Sequence, residues 1–161
     1  TPEQIDEIKA YPPSIAQSRM WRENTLRSPD DYPFNLLYLL SCAAYQIRPA
    51  HWHDVDVKQD PRIKAFMQRI KFSVMPGEAE SPIEVVAKGK DFRAVVPHVK
   101  GSWTPEEVRM TDKELVNKFT DNVSRVLHRD KANQIAEVTL KLEDLENMAQ
   151  LMEMLSFSQS E

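Results

Sequence analysis

One stretch limits the architecture more than any other: Asp31-Tyr-Pro-Phe-Asn-Leu-Leu-Tyr-Leu-Leu-Ser-Cys-Ala-Ala-Tyr-Gln-Ile47, the longest apolar run in the chain. From Phe34 to Ile47 nearly every position is apolar or small, so a helix here has little polar face and is expected to be buried on most sides. A membrane span needs about 20 apolar residues. This run is shorter and is flanked by Asp31 and Arg48, so the expected burial is within protein. Tyr38 lies in its middle. A buried phenol needs a hydrogen-bond partner, which directs it toward something polar and makes it a candidate site residue.

A chain of 161 residues suits one domain, or one domain with a docking segment, and supports a sizeable core. Its net charge of -4 comes from 21 basic and 25 acidic residues that are interspersed. No basic block is present to track a phosphate backbone, so nucleic acid is not an expected partner, and no membrane association is expected either. The single cysteine, Cys42, leaves no intrachain disulfide and no thiolate cluster for zinc or iron-sulfur, which fits a cytoplasmic protein. No initiator Met precedes Thr1, and the chain is expected to be a piece of a longer protein.

Local signals divide the chain. Thr1 as a cap and Pro2 in the first turn predict one helical turn feeding a short strand, which ends at Pro12-Pro13. Residues 14–31 lack a period and read as a connecting loop, with Ser28-Pro-Asp-Asp a turn into the core helix. Residues 48–59 read as a polar bridge. Asp60 with Pro61 starts a second helix with Ile63, Phe66, Met67 and Ile70 as its apolar stripe. A strand over 70–75 ends at Pro76-Gly77, and strands over 82–87 and 91–96 form a hairpin through Lys88-Gly89-Lys90.

Farther on, Thr111-Asp-Lys-Glu114 is a capping box before Leu115, Phe119, Val123, Val126 and Leu127. Asp130 reads as a second cap, before Ile135, Val138, Leu142 and Leu145, and residues 147–157 read as a third helix. These helices carry more apolar surface than a small sheet covers, which predicts a partner surface. The fold class expected is α+β, a lid-like domain with a short mixed or antiparallel sheet followed by a helical segment.

Four colinear stretches then point to a family: Thr1-Pro-Glu-Gln-Ile-Asp-Glu-Ile, Phe34-Asn-Leu-Leu-Tyr-Leu-Leu-Ser-Cys-Ala, Asp60-Pro-Arg-Ile-Lys-Ala-Phe-Met-Gln-Arg-Ile and Leu142-Glu-Asp-Leu. Lys100-Gly101 followed by Thr111-Asp-Lys-Glu-Leu-Val-Asn-Lys-Phe119 adds a fifth. Together they resemble the C-terminal part of the MmgE/PrpD family, whose members include 2-methylcitrate dehydratase, cis-aconitate decarboxylase and iminodisuccinate epimerase.

The resemblance implies a two-part enzyme, a large helical domain and a smaller α+β lid that closes over the active site. Residues 1–105 would be the lid, and residues 106–161 C-terminal helices that belong against the helical domain. Most catalytic groups would lie upstream, in that domain. The implied partners are a small polycarboxylate substrate, the upstream helical domain and, in the full-length form, a second copy in a homodimer. No metal and no cofactor is implied. The family's lid helix holds a tyrosine in an S-x-x-Y-x-x-A setting that reaches the active site, and Tyr38 occupies that place. This sequence departs from the pattern at Asn35, at Ser41 and at Tyr32-Pro33, which bears on substrate identity.

Each candidate has a plainer reading. Tyr38 as a neutral phenol can donate to a carboxylate or a leaving hydroxyl; the plainer reading is a core tyrosine bonded to a backbone carbonyl. His51, His53 and Asp54 suggest a metal site by type, but they sit in a polar bridge and read as surface or capping residues. Trp21, Trp52 and Trp103 fall in predicted loops and read as plugs at the edge of the sheet. Cys42 has no flanking base and is not a nucleophile. The methionines from Met148 to Met154 read as a packing face.

The function expected is the C-terminal, lid portion of a lyase that dehydrates a small polycarboxylic acid, inactive when separated from its partner domain. The alternatives are a decarboxylase or epimerase of the same family, and a non-catalytic subunit that docks onto a separate helical chain.

Overall fold

The computed structural model describes residues 1–12, 19–73 and 82–156. Pro2–Gln4 make one 3-10 turn, closed by the Thr1 amino group donating to Gln4 Oε1 at 3.3 Å. The turn feeds β1, Ile5–Ala10. A four-residue helix, α1, covers Arg19–Arg22 inside the segment expected to be a loop. Ser28 then starts a 3-10 helix over Pro29–Phe34. Ser28 Oγ accepts from Asp30 N, and Asp31 Oδ2 accepts from the amides of Ser28 and Arg27 at 2.9 and 2.7 Å.

The apolar run forms α2, Leu36–Ala44, shorter than the run itself because Asn35 caps it. Asn35 Oδ1 accepts from the Tyr38 amide at 2.9 Å while its Nδ2 donates to the Glu23 carbonyl at 2.8 Å. One buried amide therefore both starts the helix and ties down the preceding segment. Residues 48–59, expected to be an irregular bridge, contain a 3-10 turn over Pro49–His51 and a short helix, α3, Val55–Gln59. α4 spans Pro61–Met67, with Asp60 accepting from Arg62 N at 2.8 Å as the cap.

β2 (Ile70–Phe72), β3 (Ile83–Ala87) and β4 (Lys90–Ala94) complete a mixed sheet in the order β2-β1-β3-β4. β1 runs parallel to β2 and antiparallel to β3. The rest of the strand expected over 70–75, and the Pro76-Gly77 turn, lie outside the described residues. Lys88 and Gly89 both have positive φ, 50° and 68°, as a two-residue turn of the I′ kind requires. This is an α+β fold.

One face of the sheet packs on α2 and α4. Ile8 and Ile70 join Leu37, Tyr38, Cys42, Ile63, Phe66 and Met67 in one buried cluster. The other face is charged, with Glu7 paired to Lys71 and Glu84 accepting from the Tyr11 hydroxyl at 3.0 Å. The edge strand β4 is exposed throughout, Phe92 included.

By contacts the chain divides into two units, Thr1–Pro97 and His98–Glu161; the sequence reading put its boundary at 105/106. In the second unit α5, Asp112–Val123, begins with the expected capping box: the Glu114 amide donates to Thr111 Oγ1 at 3.3 Å, and the Thr111 amide donates to Glu114 Oε2 at 2.8 Å. α6 spans Arg129–Leu140 and α7 Ala149–Leu155.

Asp130 is not the cap of α6. The helix starts two residues earlier than a cap at Asp130 implies, at Arg129, with His128 at the cap position. Asp130 instead sits in the first turn, where its charge suits the helix dipole. α6 also stops at Leu140, and a 3-10 turn over Leu142–Asp144 takes Leu142 and Leu145 off the expected stripe. The buried face is Ala132, Ile135 and Ala136.

Candidate functional site

Tyr38 sits on the first turn of α2 and is 1% exposed. Its hydroxyl donates to the backbone carbonyl of Trp52 at 2.6 Å, and its ring meets Tyr32 edge-on with centroids 4.8 Å apart. The acceptor is positioned from two sides, because the Trp52 indole Nε1 donates in turn to the Ile47 carbonyl at 2.8 Å. Burial, and after it a hydrogen bond with Cys42, pushes the phenol well above its ordinary value. Tyr38 is therefore a neutral donor at any physiological pH. Burial raises the Cys42 thiol as well, so no thiolate forms there.

The hydroxyl is thus bonded as a core tyrosine's would be. The ring, however, lines a cavity of about 260 Å³ in the first unit. Tyr38 and Met67 form its buried floor, and half-buried Tyr32, Leu26 and Lys58 its walls. Lys64 and Gln68 from α4, with Asn24 and Thr25, stand exposed at the rim. The Lys58 ammonium lies 5.0 Å from the Tyr32 ring centroid. No Asp or Glu lines this space. Among the described residues neither lysine has a carboxylate within ion-pair distance.

Two other concavities compare poorly as sites. A wider cleft of about 550 Å³ is lined by Arg19, Arg22, Glu23, Leu37 and Phe72. It is open, and Arg19 is already held by Glu23 at 2.7 Å. In the second unit, Leu115, Phe119, Ala136 and Leu140 line an apolar hollow of about 270 Å³ between α5 and α6 that offers almost no polar chemistry.

The remaining sequence candidates separate. His51 Nδ1 pairs with Asp54 Oδ2 at 3.1 Å, while His53 is exposed. Among the described residues no group of three or more His, Cys, Asp or Glu is arranged to hold a metal ion. The tryptophans do not share one role at the sheet edge. Trp21 is on α1 against Phe34, Trp52 joins the core periphery, and Trp103 is exposed beneath the Arg109 guanidinium at 4.8 Å. Lys58 and Lys64 were not legible as a pair, because they lie on different helices and one of those helices, α3, carries no apolar stripe to announce it.

With this geometry in hand, comparison with known families is direct: the MmgE/PrpD C-terminal domain matches residues 1–144. The chain belongs to the MmgE/PrpD family. The match takes in the whole mixed sheet, α2 with Tyr38, the lysine-bearing α3 and α4, and the α5-α6 pair. MmgE/PrpD proteins include dehydratases and other lyases. No curated protein matches the chain. Among the described residues no helix is long and apolar enough to cross a membrane.

Proposed function

We propose that this chain is the C-terminal, lid-bearing portion of an MmgE/PrpD lyase that removes water from a small polycarboxylic acid. The observation that carries the proposal is the family match over residues 1–144, which contains both the Tyr38 helix and the polar cavity beside it. Dehydration next to a carboxylate needs a base for the α-proton, cations for the carboxylates and a proton for the departing hydroxyl. In this reading the base comes from an upstream helical domain. The lid completes the site on closure by orienting the acid and excluding water.

Tyr38 is proposed as the phenol that the lid brings to the substrate. That role carries a physical condition: its proton is held by the Trp52 carbonyl. It becomes available only if the turn over Pro49–His51 shifts as the lid closes.

The test is an assay of the whole protein encoded by the reading frame that carries these residues, with 2-methylcitrate, cis-aconitate and iminodisuccinate followed separately by NMR. The expected result is loss of water from 2-methylcitrate. Release of carbon dioxide from cis-aconitate, or stereochemical exchange of iminodisuccinate, without dehydration moves the protein to the decarboxylase or epimerase branch. No turnover of any of the three supports a second reading, a non-catalytic docking module. The apolar hollow between α5 and α6 favours that reading.

A further inference from the structure

We propose that Lys58 and Lys64 form a carboxylate grip, a subsite in the first unit's cavity that holds one end of a small di- or tricarboxylate. The identity of the anion rests on the lyase reading above; the existence of the subsite does not.

Charge is the first argument. The chain carries more acids than bases, 25 against 21, and several surface lysines and arginines elsewhere have acidic partners. Lys71 pairs with Glu7, Lys100 with Glu114 and Arg19 with Glu23. The cavity collects two lysines and no acid. The acid between them in sequence is already engaged, because Asp60 accepts from Arg62 Nη2 at 2.7 Å and Nε at 3.1 Å. Asp56, on α3 with Lys58, is exposed and does not line the space. Two lysines lining a common hollow that has no carboxylate in its lining favour an anion there.

The lining chemistry narrows the anion. Lys58 is half-buried with its ammonium over the Tyr32 ring, which positions one cation at the wall, while exposed Lys64 can fold over the rim. The phenol of Tyr32 and the amide of Gln68 add neutral donors. A lysine ammonium is a compact point charge suited to single anionic oxygens, and neither lysine offers the planar fork that grips an oxyanion in two places. The volume, about 260 Å³, equals roughly nine waters at ~30 Å³ each and lies just under the ~300 Å³ at which drug-sized pockets begin. A small carboxylic acid fits this description and a nucleotide does not.

The test has two arms. In the first, tricarballylate, a tricarboxylate with no hydroxyl to lose, is titrated into the 161-residue chain at constant ionic strength, with chloride and inorganic phosphate as comparisons, and amide shifts are followed. Saturable shifts centred on Tyr32, Lys58, Lys64 and Gln68 are expected. Lys58→Met with Lys64→Met should weaken binding about a hundredfold, at roughly tenfold for each charge removed. Lys58→Arg, which keeps the charge, should stay within a few fold, and Lys113→Met on α5 should change nothing. Shifts no larger than chloride gives, phosphate binding as tightly as tricarballylate, or affinity unchanged in the double variant overturns the grip.

In the second arm, the double variant of the whole protein should raise KM for the substrate with little change in kcat, the pattern of lost uniform binding. An active enzyme whose KM ignores both substitutions keeps the lyase reading and removes the grip. A protein that turns over none of the three acids, yet binds tricarballylate through these lysines, keeps the grip and removes the lyase reading.

Discussion

α2 and α5 begin alike and end differently. Each is started by a polar side chain that accepts from a first-turn amide, Asn35 in one and Thr111 in the other. Yet α2 buries Leu37, Tyr38 and Cys42 to 2% exposure or less, whereas on α5 only Thr120 is buried and Leu115 is 45% exposed. Capping and apolar content are local properties. Whether an apolar stripe is covered depends on what is placed against it, and α2 receives the sheet and α4 where α5 packs chiefly on α6. The first unit closes its core and keeps a polar cavity beside it; the second carries an apolar hollow at its surface.

The largest expected difference between the two is in cavity formation. Phe66→Ala in α4 should cost about 3–5 kcal/mol, because the ring is 2% exposed in a packed cluster. Leu115→Ala on α5 should cost less than about 1 kcal/mol. Urea unfolding of the two variants measures both, and equal costs break the comparison.

Tyr38→Phe is the next largest. It leaves the Trp52 carbonyl without its donor in a partly buried place, which should cost about 1–3 kcal/mol. If the hydroxyl also serves the reaction, turnover of the folded enzyme falls about tenfold to a thousandfold as well. Lost stability with unchanged turnover leaves Tyr38 as a core tyrosine and nothing more.

The smallest effect is shared by both units. Asp31 is held below its ordinary value of 3.8 by backbone amides, Ser28 first, and Asp60 by the Arg62 guanidinium. Glu114 is held below 4.5 chiefly by the Thr111 amide. Each has a lowered folded-state value, so its contribution is present above the unfolded value and is lost as pH falls through the folded one. Thermal midpoints should therefore be flat near neutrality and decline below about pH 4. These groups are exposed, so the decline should be gentle. A midpoint that rises on acidification contradicts the assignment of these carboxylates as caps.

What the sequence disclosed follows the same division between local and distant causes. The 3-10 turn at Pro2, the Asp60-Pro61 start, the Lys88-Gly89 hairpin and the Thr111 capping box are written within four residues of where they act. The sequence also showed that the C-terminal helices have apolar surface to spare. α3 escaped notice because five residues with no side-chain cap hydrogen bond and no stripe resemble a polar loop. Asp130 was misplaced because an acid in the first turn and an acid at the cap leave the same mark on a sequence.

The site was hidden more deeply. The Tyr38 hydroxyl finds its acceptor fourteen positions away, and Lys58 and Lys64 share a hollow only because α3 and α4 fold toward the segment before α2. The parallel pairing of β1 with β2 was equally out of reach, because Ile8 meets Ile70 only after the whole helical crossover is in place.

Native-state hydrogen exchange on the 161-residue chain tests the central claim, that the first unit closes its own core while the second leaves an apolar face uncovered. Amides 37–42 and 63–67 should exchange only through global unfolding. Those of α5 and α6 should exchange at least about a hundredfold faster, equivalent to roughly 2.7 kcal/mol of easier opening. Equal protection across α2, α4, α5 and α6 would contradict it.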